Sequence, residues 1–169
     1  MLKGIRIIAA AVLFLLVIPL ALWALGRRLD PFLFPSLSME PVYMLGVPIL
    51  IAGAAISVAS IWQLNRLGSG MPWGDVAADA QSSKLVTGGL YRYSRNPMLF
   101  GFGLFIMGIG VYTGSITMAF LLSALVVALV SAWIRKREEP KLAERFGDEY
   151  IAYADRTSFL IPMPPRKRS

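Results

Sequence analysis

Neither cysteine nor histidine occurs anywhere in the sequence. The first absence excludes disulfides, thiolate metal sites and a cysteine nucleophile. The second removes the most usual general base and the most usual side-chain metal ligand. Acidic side chains are also scarce, 10 against 17 basic ones, and none lies inside the long apolar blocks described next. Metal sites built on thiolate or imidazole are thus excluded.

What is abundant is apolar surface. Of the 169 residues 56% are hydrophobic, and the mean hydropathy is +0.62, well above that of an ordinary soluble domain. The apolar residues come in blocks rather than at a period. Residues 5–25 are broken only by Arg6 at their start and by Pro19, with no charge between Arg6 and Arg27. Further blocks cover 43–64, 97–112 and 116–134, and only Thr113, Gly114 and Ser115 separate the last two. This pattern predicts an all-α integral membrane protein of four transmembrane helices, with the third and fourth forming a hairpin. At ~1.5 Å per residue the third block reaches roughly 24 Å against a core of ~30 Å, so the turn is expected just below the far surface. The first block exceeds the apolar core of a signal peptide, and Gly26-Arg27-Arg28 is a poor cleavage site, so a retained helix is expected.

The net charge of +7 follows topology rather than a nucleic-acid-binding stripe. With four spans, 15 basic residues fall on the side of the termini and the central loop, whereas the other side receives only Arg27 and Arg28. By the positive-inside rule both termini are cytoplasmic, in a cell inner membrane or an endomembrane. The closing Arg166-Lys167-Arg168 cluster reads as a topology signal or an anionic-lipid contact.

The cytoplasmic face carries more sequence than connection needs. The loop to Asn96 (65–96) holds Trp73, Tyr91 and Tyr93 among several glycines, a mixture suited to shaping a pocket. Asn96-Pro97 reads as a helix start, and Arg92 and Arg95 as interfacial anchors. Beyond the fourth span, Leu142, Phe146, Tyr150 and Tyr153 fall at helical spacing, which predicts an amphipathic tail helix over about 139–156. Glu138 and Glu139, beside Pro140, suit the start of that helix through its dipole, or exposed ion pairs with Arg135, Lys136 and Arg137. A carboxylate pair at a membrane mouth equally suits a cationic or hydroxyl-rich ligand. Gly101, Gly103, Gly108 and Gly110 lie inside an apolar helix, so they indicate close helix packing rather than a dinucleotide-binding loop. Met98 and Met107 read first as soft core filling. No repeat or second domain is indicated.

Two separated segments, LVTGGLYRYSRNPMLFG and RKREEPKLAERFGDEYIAYADRTSFLIP, together resemble the integral-membrane methyltransferases of the isoprenylcysteine carboxyl methyltransferase and phospholipid methyltransferase type, over residues 84–162. Val86, Thr87, Gly89 and Tyr91, then Arg95, Asn96, Pro97 and Gly101, match the first motif. Arg135, Glu138, Glu139, Leu142, Phe146, Gly147, Tyr150, Tyr153 and Arg156 match the second. Asn96 stands where the isoprenylcysteine branch has histidine, as in the phospholipid branch, and Leu99 replaces a usual tyrosine; Asn cannot titrate as a base. Gly68 to Asp75 is similar to a degenerate form of the family's glycine-rich loop.

The resemblance implies a cytoplasmic-facing pocket for S-adenosylmethionine, closed by the tail and open sideways to the bilayer for a lipophilic or amphiphilic acceptor, a carboxylate or a lipid headgroup amine. It implies that Tyr91, Arg95, Asn96, Pro97, Gly101, Glu138 and Glu139 bind the cofactor. Glu138 and Glu139 would accept from its cationic or hydroxyl groups and Arg95 would face its carboxylate, while Arg135 would hold an acceptor carboxylate. Two other classes compete with it. A membrane-embedded sterol-type reductase would bind a nicotinamide cofactor, and a non-catalytic four-helix membrane scaffold would bind none.

Overall fold

The structure is a computed structural model that describes Ala9 and residues 12–68 and 84–166. The glycine-rich stretch Gly68 to Asp75, Trp73 and the closing Lys167 and Arg168 thus lie largely outside the described residues. Among those described, the regular structure is helical, with only an isolated bridge between Ser94 and Ser158. Helix α1 (Ile18–Leu33) follows a π-turn at Leu13–Val17, and α2 (Tyr43–Gly68) carries Pro48 near its start. A short 3₁₀ turn (Gly89–Arg92) leads to α3 (Pro97–Thr113). Next come α4 (Ser123–Trp133), flanked by π-turns at Thr117–Leu122 and Ile134–Glu138, then α5 (Glu139–Phe146) and α6 (Asp148–Arg156).

Two helical stretches, Tyr43–Leu67 and Thr117–Phe146, are long and apolar enough to cross a membrane, and Pro97–Thr113 is apolar but shorter. Only 17% and 33% of their most apolar windows are buried, unlike the core helix of a soluble protein. Large side chains such as Phe32, Met44 and Leu129 are exposed, an arrangement that suits lipid and not water.

The chain forms two compact units. The first comprises Met1–Ile51 and Leu104–Leu125. Its helices meet at small residues. A Cβ on Gly46 would lie 2.6 Å from the Tyr112 backbone, and one on Gly108 would lie 2.5 Å from Leu50 N. Such approach lets backbones pack where no hydrophobic force acts between apolar helices in lipid. The α3 helix ends at Gly114 (φ 72°), a left-handed conformation that glycine adopts without strain. Ser115 N–H then reaches back to Gly110 O (2.9 Å) and Gly114 N–H to Val111 O (3.4 Å), the paired bonds of a Schellman turn. The predicted three-residue hairpin turn is therefore realised at Thr113-Gly114-Ser115. The free amides of the next helix find side-chain acceptors, Met118 N–H at Ser115 Oγ (3.2 Å) and Thr117 N–H at Asp30 Oδ1 (2.8 Å).

The second unit, Ala52–Gly103 and Val126–Ser169, contains the rest. Within it Gly101 lies against α2, where a Cβ would meet Gly53 O at 2.7 Å and Ser57 Oγ at 2.6 Å. The tail, read in sequence as one helix over 139–156, is divided. Gly147 (φ 54°) breaks it into α5 and α6, although Leu142, Phe146, Tyr150 and Tyr153 still turn toward a common cleft. The helical spacing of apolar residues continues across the glycine, so periodicity alone does not disclose the break.

Candidate functional site

The second unit contains a cleft of about 520 Å³, counting its open mouth. Its lining is apolar over much of its surface, with Leu64, Val86, Ile134, Leu142 and Phe146 contributing, and polar at a few points. Tyr91, Arg95, Asn96, Glu138 and Glu139 all line it, so residues more than 40 positions apart in sequence converge as the two motifs suggested.

Each side chain is held by its own element. Proline opens α3 at Pro97, which is almost wholly buried, and this fixes the preceding Arg95 and Asn96 at the cleft wall. Glu139 begins α5, and the helix that α4 continues carries it to the same wall. There Arg95 Nη1 lies 3.1 Å from Glu139 Oε1, and both side chains are less than a fifth exposed (17% and 19%). Tyr150, from α6, donates its hydroxyl to that same oxygen at 3.0 Å. Tyr153 donates to Tyr91 O at 2.6 Å, and Tyr91 to Ser60 O at 3.4 Å. Burial pushes the Tyr91, Tyr150 and Tyr153 hydroxyls well above the ordinary tyrosine value, and the negative Glu139 adds to the rise at Tyr150. All three therefore act as donors at any physiological pH. Among the described residues Arg95 Nε is buried without a hydrogen-bond partner, a donor left over inside a largely apolar cleft.

Three of the residues singled out in the sequence lie elsewhere. Pro97 and Gly101 serve the wall from within α3 and do not line the cleft. Arg135 is exposed, with its guanidinium carbon 4.1 Å from the centre of the Phe159 ring. Asn96 reaches the cleft but also donates Nδ2 to Phe159 O at 3.0 Å.

That last bond belongs to a feature that sequence patterning misses. The segment after α6 runs back along the first motif as a strap. Arg95 N–H donates to Ser158 O (2.8 Å), Ser94 Oγ to Leu160 O (2.8 Å) and Met163 N–H to Tyr93 O (3.0 Å). An irregular segment bound through its main-chain groups has no hydrophobic period to read. The signal available was the string TSFLIP at the end of the second motif.

Comparisons with curated proteins and with solved structures give no match. The family model for phospholipid methyltransferase matches residues 41–149, nearly two thirds of the chain, including Arg95 to Gly101 and Arg135 to Glu139. That span also includes both long apolar helices and most of the cleft lining, so the geometry and the match concern the same residues. A membrane protein with these paired motifs converging on one cleft, this chain belongs to the phospholipid methyltransferase family.

Proposed function

We propose that the protein transfers the methyl group of S-adenosylmethionine to a lipophilic or amphiphilic acceptor, a carboxylate or a lipid headgroup amine, at the cytoplasmic membrane face. The observation that carries this reading is the Arg95, Glu139 and Tyr150 cluster set into an apolar cleft by the two motifs of a methyltransferase family.

The residues present fit such a cofactor. Glu138 and Glu139 offer carboxylates to its ammonium and ribose hydroxyls, and Arg95 offers its unpartnered Nε to its carboxylate. Tyr91 frames the cleft from the 3₁₀ turn, and Asn96, Pro97 and Gly101 hold the wall that α3 presents. When bound, S-adenosylmethionine supplies a methyl group already activated by a positively charged sulfur, so the protein's share of catalysis is alignment and exclusion of water. The lining from Leu64, Val86, Ile134, Leu142 and Phe146 provides that dry surround. Arg135 would hold the acceptor's anionic group, a task to which a fork of N–H donors is suited.

The chain acts as a single membrane domain. Its four spans cover about 5–25, 43–64, 97–112 and 116–134, with the 65–96 loop, an amphipathic tail over 139–156 and both termini in the cytoplasm. The 15 to 2 distribution of basic residues supports this orientation. The 17 residues of α3, roughly 25 Å at ~1.5 Å each, support a short third span whose turn stays beneath the far surface. An acceptor entering from the bilayer fits the exposed apolar helices. Incubating the purified protein with methyl-labelled S-adenosylmethionine and a total lipid extract tests the reading. Label is expected in the organic phase, on one amphiphilic product. An extract that stays unlabelled, with a nicotinamide cofactor bound instead, would replace transfer by reduction.

A further inference from the structure

Two guanidinium groups share one aromatic ring. The Arg135 carbon lies 4.1 Å from the Phe159 ring centre and the Arg95 carbon 5.6 Å, both within the ~6 Å over which a ring attracts a cation. Gathering two like charges around one ring is unfavourable unless an anion offsets them. Arg95 has such an anion in Glu139 at 3.1 Å. Arg135 is exposed, and its described contact is the ring.

The ring itself is firmly placed. Main-chain oxygens of three successive residues, Ser158, Phe159 and Leu160, each accept a hydrogen bond from Ser94, Arg95 or Asn96, at 2.8 to 3.0 Å. Phe159 is thus fixed to the motif that lines the cleft and turns its side chain to both arginines. A guanidinium held over a ring keeps the N–H donors of its own plane available, in the fork that matches a carboxylate or phosphate. Without the ring, Arg135 would be a long exposed side chain that an incoming anion must order at an entropic cost.

We propose that Phe159 is a positioning residue, holding Arg135 beside the cleft to receive the oxyanion of an amphiphilic acceptor while Arg95 stays committed to Glu139. The term acceptor rests on the methyl-transfer reading above, but the oxyanion site does not. The shared ligand chemistry is a carboxylate or a phosphate on an apolar tail.

Dodecanoate and dodecyl phosphate, titrated separately into the full chain in a neutral maltoside detergent, are the probes, and S-adenosylmethionine is titrated in parallel. The parent is expected to bind at least one probe, and the tighter of the two names the oxyanion. Phe159→Leu should weaken that probe about threefold to fivefold, the loss of a cation-ring contact at an exposed site, with S-adenosylmethionine affinity held within about 1.5-fold. Phe159→Tyr, which restores a ring, should recover the parent affinity for the probe. On an Arg135→Gln background Phe159→Leu should add nothing, because the ring acts through that arginine. If the leucine variant does not fold, Phe159→Met keeps the bulk without the ring and takes its place.

A parent that binds neither probe would overturn the proposal. So would Phe159→Leu leaving the probe affinity unchanged, equal weakening of probe and cofactor, or additive losses on the Arg135→Gln background. A parent that binds a probe and not S-adenosylmethionine would remove the methyl-transfer reading and leave the oxyanion site to be judged by the probe arms alone.

Discussion

The two units of the chain solve the problem of joining helices in different ways. In the first, Met1–Ile51 and Leu104–Leu125, backbones come together at glycine, and polar contacts described between helices lie at helix ends, as at Asp30 and Ser115. In the second, the elements are tied by hydrogen bonds between distant side chains and main chain, with an ion pair and several buried hydroxyls in the cleft wall. Glycine contacts need only shape, and they carry no chemistry. Polar ties demand specific donors and acceptors, and leave groups such as Arg95 Nε able to meet a ligand. The unit in which the ligand site is proposed is thus the one whose cleft wall is partly polar.

Breaking the glycine contacts should have the largest effect on stability. Gly46→Val drives a branched side chain into the Tyr112 backbone, where even a Cβ would be 2.6 Å away, and is expected to destabilise by about 3 kcal/mol. Thermal unfolding in detergent, followed by helical circular dichroism, would show it, and an unchanged midpoint would mean the helices do not meet at that residue. In the second unit, Tyr153→Phe removes the 2.6 Å bond to Tyr91 O and strips a main-chain oxygen of its donor, for a smaller loss of about 1 to 2 kcal/mol. The same scan measures it.

The smallest effect is a dependence on alkaline pH. Tyr91, Tyr150 and Tyr153 ionise in the unfolded chain near the ordinary 10.0 and only above it in the fold. Raised folded values mean that their contribution is complete below pH 10 and is lost as pH rises beyond it. Tyrosinate absorbance in the intact protein should thus lag behind that of the unfolded chain, and Tyr153→Phe should shrink the lag. A parent whose tyrosines all titrate together with the unfolded chain would show these hydroxyls to be solvated.

Much of this arrangement was readable because it rests on local chemistry. Gly114 between two apolar blocks announced a tight turn, and Gly101 to Gly110 announced close packing, since each needs only a missing Cβ. The convergence of Tyr91, Arg95, Asn96, Glu138 and Glu139 was legible from two motifs that resemble one family, not from spacing, because they lie on opposite sides of a helical hairpin. Other features had no local signature. Gly147 breaks the tail while the apolar spacing runs on through it. Asp30 accepts from Thr117 across 87 residues, and the strap is bound through main-chain atoms that every sequence possesses. Phe159 was invisible for the same reason, since one aromatic in a short irregular segment says nothing of the two arginines it faces.

Glu138 and Glu139 are proposed to bind S-adenosylmethionine rather than to serve a helix dipole. Calorimetric titration of the cofactor into the parent and into the Glu138→Gln, Glu139→Gln double variant tests it most directly, with the helical spectrum as the control for folding. Charge-assisted bonds of roughly 1.5 to 3 kcal/mol each predict at least a tenfold loss of affinity in the folded variant. A dipole role predicts about 1 kcal/mol or less of stability per residue and no change in binding. A folded double variant that binds S-adenosylmethionine as tightly as the parent would remove these carboxylates from the cofactor site.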